Sequence, residues 1–177
     1  PDNPTAQDAE RAAKFLMHEW LGDFPYKTQA DRANLIGLAL TPFIRHLVAL
    51  VPICVVNGQA AGVGQGLATD CLFLMFLGRH SDPTLLPTGR TEMWKTLHAT
   101  ARGGGSFVFL DEAHVLEGDA LASAVTAPAI FARVLGESRS DGPPNRLTWI
   151  AAGNNVVVRG DLFRRVYQVR LAPQGEG

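Results

Sequence analysis

The chain has 177 residues, 46% of them hydrophobic and 19% charged, with a formal net charge of −1. These values suit one globular α/β domain with its own core and exclude a chain-wide basic footprint for nucleic acid. The longest apolar stretch, residues 71–77, falls far short of the roughly 20 residues that span a bilayer, so no membrane role is expected.

Cys54 and Cys71 both lie in apolar patterns and read as reduced, buried thiols of a cytoplasmic protein rather than a disulfide or metal site. Near the start, Thr5 and Asp8 have the form of a helix cap. Ala9, Ala12, Ala13, Leu16, Met17, Trp20 and Leu21 then recur at helical spacing up to Gly22, which predicts an amphipathic helix lying against the core. A second helical pattern runs from Ala30 toward Leu50 through Asn34, Leu35, Leu38 and Ala39, with Pro42 expected to break or kink it. Residues 1–50 are read as a helical preface, and the abrupt start at Pro1 suggests a segment of a longer protein.

Residues 51–70 combine a short apolar strand, a glycine-rich turn and a helix start. That is the layout of a phosphate-binding loop, G-x-x-x-x-G-K-[ST], in which backbone N–H groups cradle phosphate, lysine reaches the terminal phosphates and the hydroxyl holds Mg²⁺. Gly64 falls on the second glycine, Gln65 on the lysine and Gly66 on the hydroxyl, while Gln59 takes the first-glycine slot one residue after Gly58. Ala61, Gly62, Val63, Gly64, Gln65, Gly66 and Leu67 are the candidate nucleotide-binding residues. A neutral amide at position 65 donates a hydrogen bond to phosphate without neutralising its charge, so hydrolysis should suffer more than binding.

Residues 67–77 are apolar on all sides, as in a helix packed between a sheet and other helices. Residues 79–89 are rich in turn formers, with Thr84 to Leu86 an optional short edge strand. Residues 91–101 read as a helix closed by Gly103, Gly104 and Gly105. Phe107, Val108, Phe109 and Leu110 then form a continuous apolar run, the pattern of a strand buried on both faces of a parallel sheet. Asp119 can cap a helix reaching about Thr126, and residues 147–151 and 166–171 supply two more strands. Strands alternating with helices argue for an open, mostly parallel sheet.

Three further features carry chemistry. Asp111 and Glu112 stand at the C-terminal end of a buried strand, about 45 residues after the glycine turn. There Asp111 would bind Mg²⁺ and Glu112 would polarise an attacking water; alternatively, Asp111 only caps a turn and Glu112 is solvated. Asn154, in Gly153-Asn154-Asn155, ends another strand, where an amide between the cradle and the carboxylates can bond the nucleophilic water or the γ-phosphate; the same residues also suit a plain turn. Arg164 and Arg165, just before the last strand, offer an arginine finger acting on a neighbouring subunit, or else a solvated helix end.

The ordered set Gly62-Val63-Gly64, Phe109-Leu110-Asp111-Glu112, Gly153-Asn154-Asn155 and Asp161 to Arg165 resembles an AAA+ P-loop ATPase core. In detail it is similar to the helicase-like ATPases of phages and integrated mobile elements, relatives of superfamily 3 helicases. Residues 30–34, 40–43, 121–124, 133–136 and 148–150 also look like that family.

The resemblance implies a three-layer sandwich with a mostly parallel sheet at residues 51–173, a short tail at 174–177 and no C-terminal lid. It implies ATP and Mg²⁺ as cofactors, a homo-oligomeric ring with nucleotide between subunits, and DNA in a central channel during replication of a mobile element. It makes Asp111 and Glu112 the acidic pair, Asp111 binding the metal and Glu112 acting as the catalytic carboxylate, Asn154 the first sensor, and Arg164 or Arg165 the finger. It also places a DNA-touching hairpin at residues 133–146, with Arg139 and Arg146 as the contacts. The alternative is a catalytically inactive nucleotide-binding or interaction subunit of a DNA-associated assembly.

Overall fold

A computed structural model describes residues 2–133 and 140–173. The first half of the chain contains α1 (Ala6–Lys14), which continues into a π-helical stretch (Phe15–Trp20), then α2 (Gln29–Ile44), β1 (Ile53–Gly58), α3 (Gln65–Leu77) and α4 (Arg90–Arg102). The second half contains β2 (Phe107–Leu110), β3 (Val115–Leu116), α5 (Asp119–Thr126), β4 (Ala132–Arg133), β5 (Ser140–Asp141) and β6 (Thr148–Asn154). It closes with β7 (Val157–Val158), a 3-10 segment (Gly160–Arg165) and β8 (Val166–Leu171).

The apolar runs become a single parallel sheet in the order β2-β6-β1-β8. Successive side chains of a strand point to opposite faces, and here both faces are covered. Ile53, Val55, Val108, Trp149 and Ala151 pack with Met93 and Leu97 of α4 and with Leu121, Ala122 and Val125 of α5. Cys54, Val56, Phe109, Ile150 and Val169 face the other way, onto Leu35 and Leu38 of α2 and Ala68, Leu72 and Phe73 of α3. The architecture is thus helices, sheet, helices, with six consecutive residues of β6 buried. This is an α/β fold with a mostly parallel central sheet.

α2 is fastened to the sheet by charge as well as by apolar contact. Arg170 on β8 donates to the Asp31 carboxylate from its backbone N at 3.0 Å, from Nε at 2.9 Å and from Nη2 at 3.1 Å. Asn34 Nδ2 donates to the Gln168 carbonyl at 2.8 Å. The helical preface therefore shares a core layer with the strands.

Several local expectations need correction. α1 has the expected capping box between Thr5 and Asp8, yet none of its residues is buried. Its apolar stripe is mostly alanine, which offers little area to bury, and fully buried packing begins only at Leu21. α2 runs through Pro42 in its last turn and stops at Ile44 instead of continuing toward Leu50. Residues 84–86 do not form a strand, although Thr84 exchanges two bonds with Phe109 on the edge of β2, at 2.6 and 3.1 Å. Both cysteines are free; Cys54 is buried, with burial pushing its thiol up to about 12, whereas Cys71 is only half-buried. Among the described residues no helix is long and apolar enough to cross a membrane.

Candidate functional site

β1 ends at Gly58 and the chain turns into α3 through residues 59–64. Gly62 (φ +78°) and Gly64 (φ +97°) adopt left-handed backbone, which glycine takes without steric cost. Gly64 caps α3 with no side-chain bond, so the opening N–H groups of the helix at Gln65, Gly66 and Leu67 are available to a ligand or water. Ala61 and Leu67 are exposed on this turn, and Val63 packs inward on the core.

Gly58 lacks a side chain for a different reason. A Cβ there would lie 2.7 Å from Asn154 Oδ1, 2.9 Å from Gln65 Oε1 and 2.9 Å from Val63 Cγ2. Over this gap Gln65 Nε2 donates to Asn154 Oδ1 at 3.1 Å. Gln65 Oε1 is buried and has no hydrogen-bond partner among the described residues. An unmet buried acceptor costs about 1–3 kcal/mol, which an arriving donor recovers.

Asn154 ends β6, and β6 lies between β1 and β2. Its amide therefore stands between the glycine turn and the carboxylates, as the sequence pattern suggests. Asp111 and Glu112 follow β2 at the same edge, where open α/β sheets hold their ligands. Glu112 takes a left-handed φ of +49°, uncommon for a residue with a side chain and a form of strain that clusters at functional sites. Its N–H donates to Asp111 Oδ1 at 2.9 Å, and the Ala113 N–H donates to the Ala152 carbonyl at 2.8 Å, laying the turn across the tip of β6. Gly153 permits that crossing, since a Cβ there would lie 2.1 Å from the Ala113 oxygen.

Gln65, Gly66, Asp111, Glu112, Gly153 and Asn154 line one cavity of about 430 Å³ together with His114, which the sequence reading did not single out. A second cavity, of about 580 Å³, lies beside the glycine turn and is lined by Phe24, Tyr26, Lys27, Arg32 and Ala172 among others. The Phe24 ring comes within 3.5 Å of where a Gly64 Cβ would sit. Phe24 thus belongs both to the wall of this aromatic, cationic recess and to the surroundings of the glycine turn. Nothing in the sequence flagged Phe24, because its approach to Gly64 depends on the preface folding back beside residue 64. Asp111, Glu112 and the backbone of α3 are the groups that could hold Mg²⁺ and phosphate; the side-chain donors facing them are two amides and an imidazole.

The paired arginines lie outside both cavities and differ from each other. Arg165 donates to the Ala122 carbonyl at 2.9 Å, and also to Thr126 and Asp161, with its side chain 25% exposed. Arg164 is 85% exposed and, among the described residues, pairs with Asp161 at 3.6 Å. Arg146 lies at the start of β6, on the sheet edge opposite the carboxylates, in a shallow cavity with Gly104, Gly105 and Ser106. β4 and β5 pair antiparallel, Arg133 opposite Ser140. Arg139 lies outside the described residues.

No family model matches the chain, and no curated protein matches it. Among solved structures, the A-form apo structure of the NrS-1 C-terminal region is similar at 15% identity and a TM-score of 0.46, over 90% of this chain. The chain spans 43% of the length of that structure. The class established by the fold itself is α/β with a mostly parallel central sheet.

Proposed function

We propose that this chain is a nucleotide-binding, helicase-like ATPase core of the AAA+ kind, taking ATP with Mg²⁺ at the C-terminal edge of its sheet. The observation that carries the reading is one cavity shared by the glycine turn (Gln65, Gly66), the carboxylate turn (Asp111, Glu112) and the strand tip (Asn154). Three segments far apart in sequence supply the donor, metal-binding and base chemistry that phosphoryl transfer requires. In this reading the triphosphate lies along Gly62 to Gly66, with the nucleoside toward Phe24 and the terminal phosphate toward Asn154. Asp111 holds Mg²⁺, and Glu112 orients the attacking water.

Arg164 is the better finger, because Arg165 is already committed to α5 while Arg164 projects into solvent, where a neighbouring subunit would meet it. Assembly as a homo-oligomeric ring and action on DNA through the hairpin and Arg146 belong to the same proposal.

A second reading, nucleotide binding without turnover, is favoured by Gln65 itself, which donates to Asn154 Oδ1 and brings no charge to the phosphates where a lysine would. Measuring Mg-ATP binding and hydrolysis for the native chain and for Gln65→Lys separates the two. Hydrolysis that appears or rises in the Gln65→Lys variant, and vanishes when Glu112→Gln is added, supports the ATPase core. Binding with no turnover in either form supports the inactive subunit.

A further inference from the structure

We propose that His114 donates a hydrogen bond to the terminal phosphate of the bound nucleotide and so makes this site distinguish a nucleoside triphosphate from a diphosphate. The proposal rests on the nucleotide reading above and adds to it a residue outside the glycine loop, the acidic pair and the strand-tip amide.

The backbone holds His114 in place from both sides. Upstream, Glu112 in its left-handed conformation and the Ala113 to Ala152 bond reverse the chain tightly over β6, a path that Gly153 alone allows. Downstream, the His114 carbonyl accepts from the Val157 N–H at 2.9 Å, where β3 begins to pair with β7. Backbone bonds on both sides thus hold residue 114 at the cavity wall, with its side chain exposed to an incoming ligand.

The chemistry of the wall gives the imidazole its task. When ionised, Asp111 and Glu112 only accept hydrogen bonds and repel phosphate unless a metal intervenes. The Gln65 amide donates one N–H to Asn154 Oδ1, and the Asn154 Nδ2 group lies outside that bond. Position 65 lacks the ammonium that a phosphate loop normally offers, and Gly66 brings no hydroxyl. His114 adds to the amide N–H groups of this cavity an imidazole that carries at least one ring N–H, placed on the side of the carboxylate turn.

Its location sets which phosphate it meets. The recess containing Phe24 and Ala172 lies at the end of β8, whereas His114 shares its cavity with the tip of β6 and the turn after β2. Strands are spaced by about 4.8 Å, so β8 and β6, two spacings apart, end roughly 10 Å from each other. A ligand with its nucleoside in the first recess brings only its last phosphate to His114.

Calorimetric titration with Mg-ATP and with Mg-ADP tests this, using the native chain, His114→Ala, His114→Leu and His114→Gln. Loss of one bond to a charged oxygen should weaken ATP binding roughly tenfold or more in the Ala and Leu variants while ADP binding stays within about twofold. Gln, which keeps an N–H donor, should retain most of the ATP affinity. An unchanged ATP to ADP ratio in a Leu variant of native thermal midpoint, with the native chain binding both nucleotides, overturns the role of His114 and leaves the nucleotide site standing. Absence of binding by the native chain removes both together.

Discussion

Gln65 Nε2 and Asn154 Oδ1 meet at 3.1 Å, joining the first residue of α3 to the last residue of β6 directly above Gly58. This contact makes one unit of the residue proposed to stand in the lysine position and the proposed sensor. Its geometry depends on Gly58 having no side chain, since a Cβ would intrude on both amides at under 3 Å. Gly58→Ala is therefore expected to separate the pair and lower stability by about 1–3 kcal/mol. Denaturant midpoints check the stability effect, and a midpoint equal to that of the native chain would show that the pair tolerates the methyl group.

Restoring the missing charge should change chemistry more than affinity. Gln65→Lys places an ammonium beside the Asn154 carbonyl oxygen, where it can reach phosphate and neutralise charge in the transition state. Turnover should rise by at least about tenfold while nucleotide affinity shifts less, read by phosphate release and by titration. Adding Glu112→Gln should abolish the gain.

The two neighbouring arginines should respond in opposite ways. Arg165→Ala strips a donor from the Ala122 carbonyl and from Thr126 and should cost about 2 kcal/mol in unfolding free energy. Arg164→Ala should leave stability unchanged and, in a Gln65→Lys background, reduce turnover by about 10³-fold through loss of the finger. Full turnover in the Arg164 variant, measured at concentrations where the chain assembles, would remove that role.

Acid should loosen the preface before the sheet. Burial alone would raise the Asp31 carboxyl, but hydrogen bonds from Arg170 and Thr28 outweigh it and hold the group below the usual carboxylate range. A carboxyl depressed in the folded state contributes stability above its unfolded value, near 4. That contribution is lost as pH falls from there through the lower native value. Asp31→Asn should cost about 3 kcal/mol at neutral pH, since it leaves Arg170 facing a neutral group, and should flatten the decline in unfolding free energy below pH 4. A decline as steep as that of the native chain would place the acid sensitivity elsewhere.

Much of the sheet was legible in the sequence because its strands are buried on both faces and so appear as unbroken apolar runs, as in residues 107–110 and 148–152. The glycine turn announced itself through Gly62 and Gly64, whose left-handed backbone few other residues would adopt. α1 misled because helical periodicity records a stripe of small residues whether or not anything covers it. The places of Phe24 and His114 were not legible for a shared reason: each is set by a contact distant in sequence, Phe24 against Gly64 and the 111–114 turn across Gly153. Sequence could not rank Arg164 and Arg165, since the difference lies in which one faces α5.

Mg-ATP titration of the intact chain, followed by calorimetry and repeated with Asp111→Asn, tests the central claim most directly. The account predicts saturable binding of one nucleotide per chain that requires the divalent cation and weakens by at least about tenfold in the Asp111 variant. Absence of saturable heat in both the native chain and Gln65→Lys, with both folded, would contradict it.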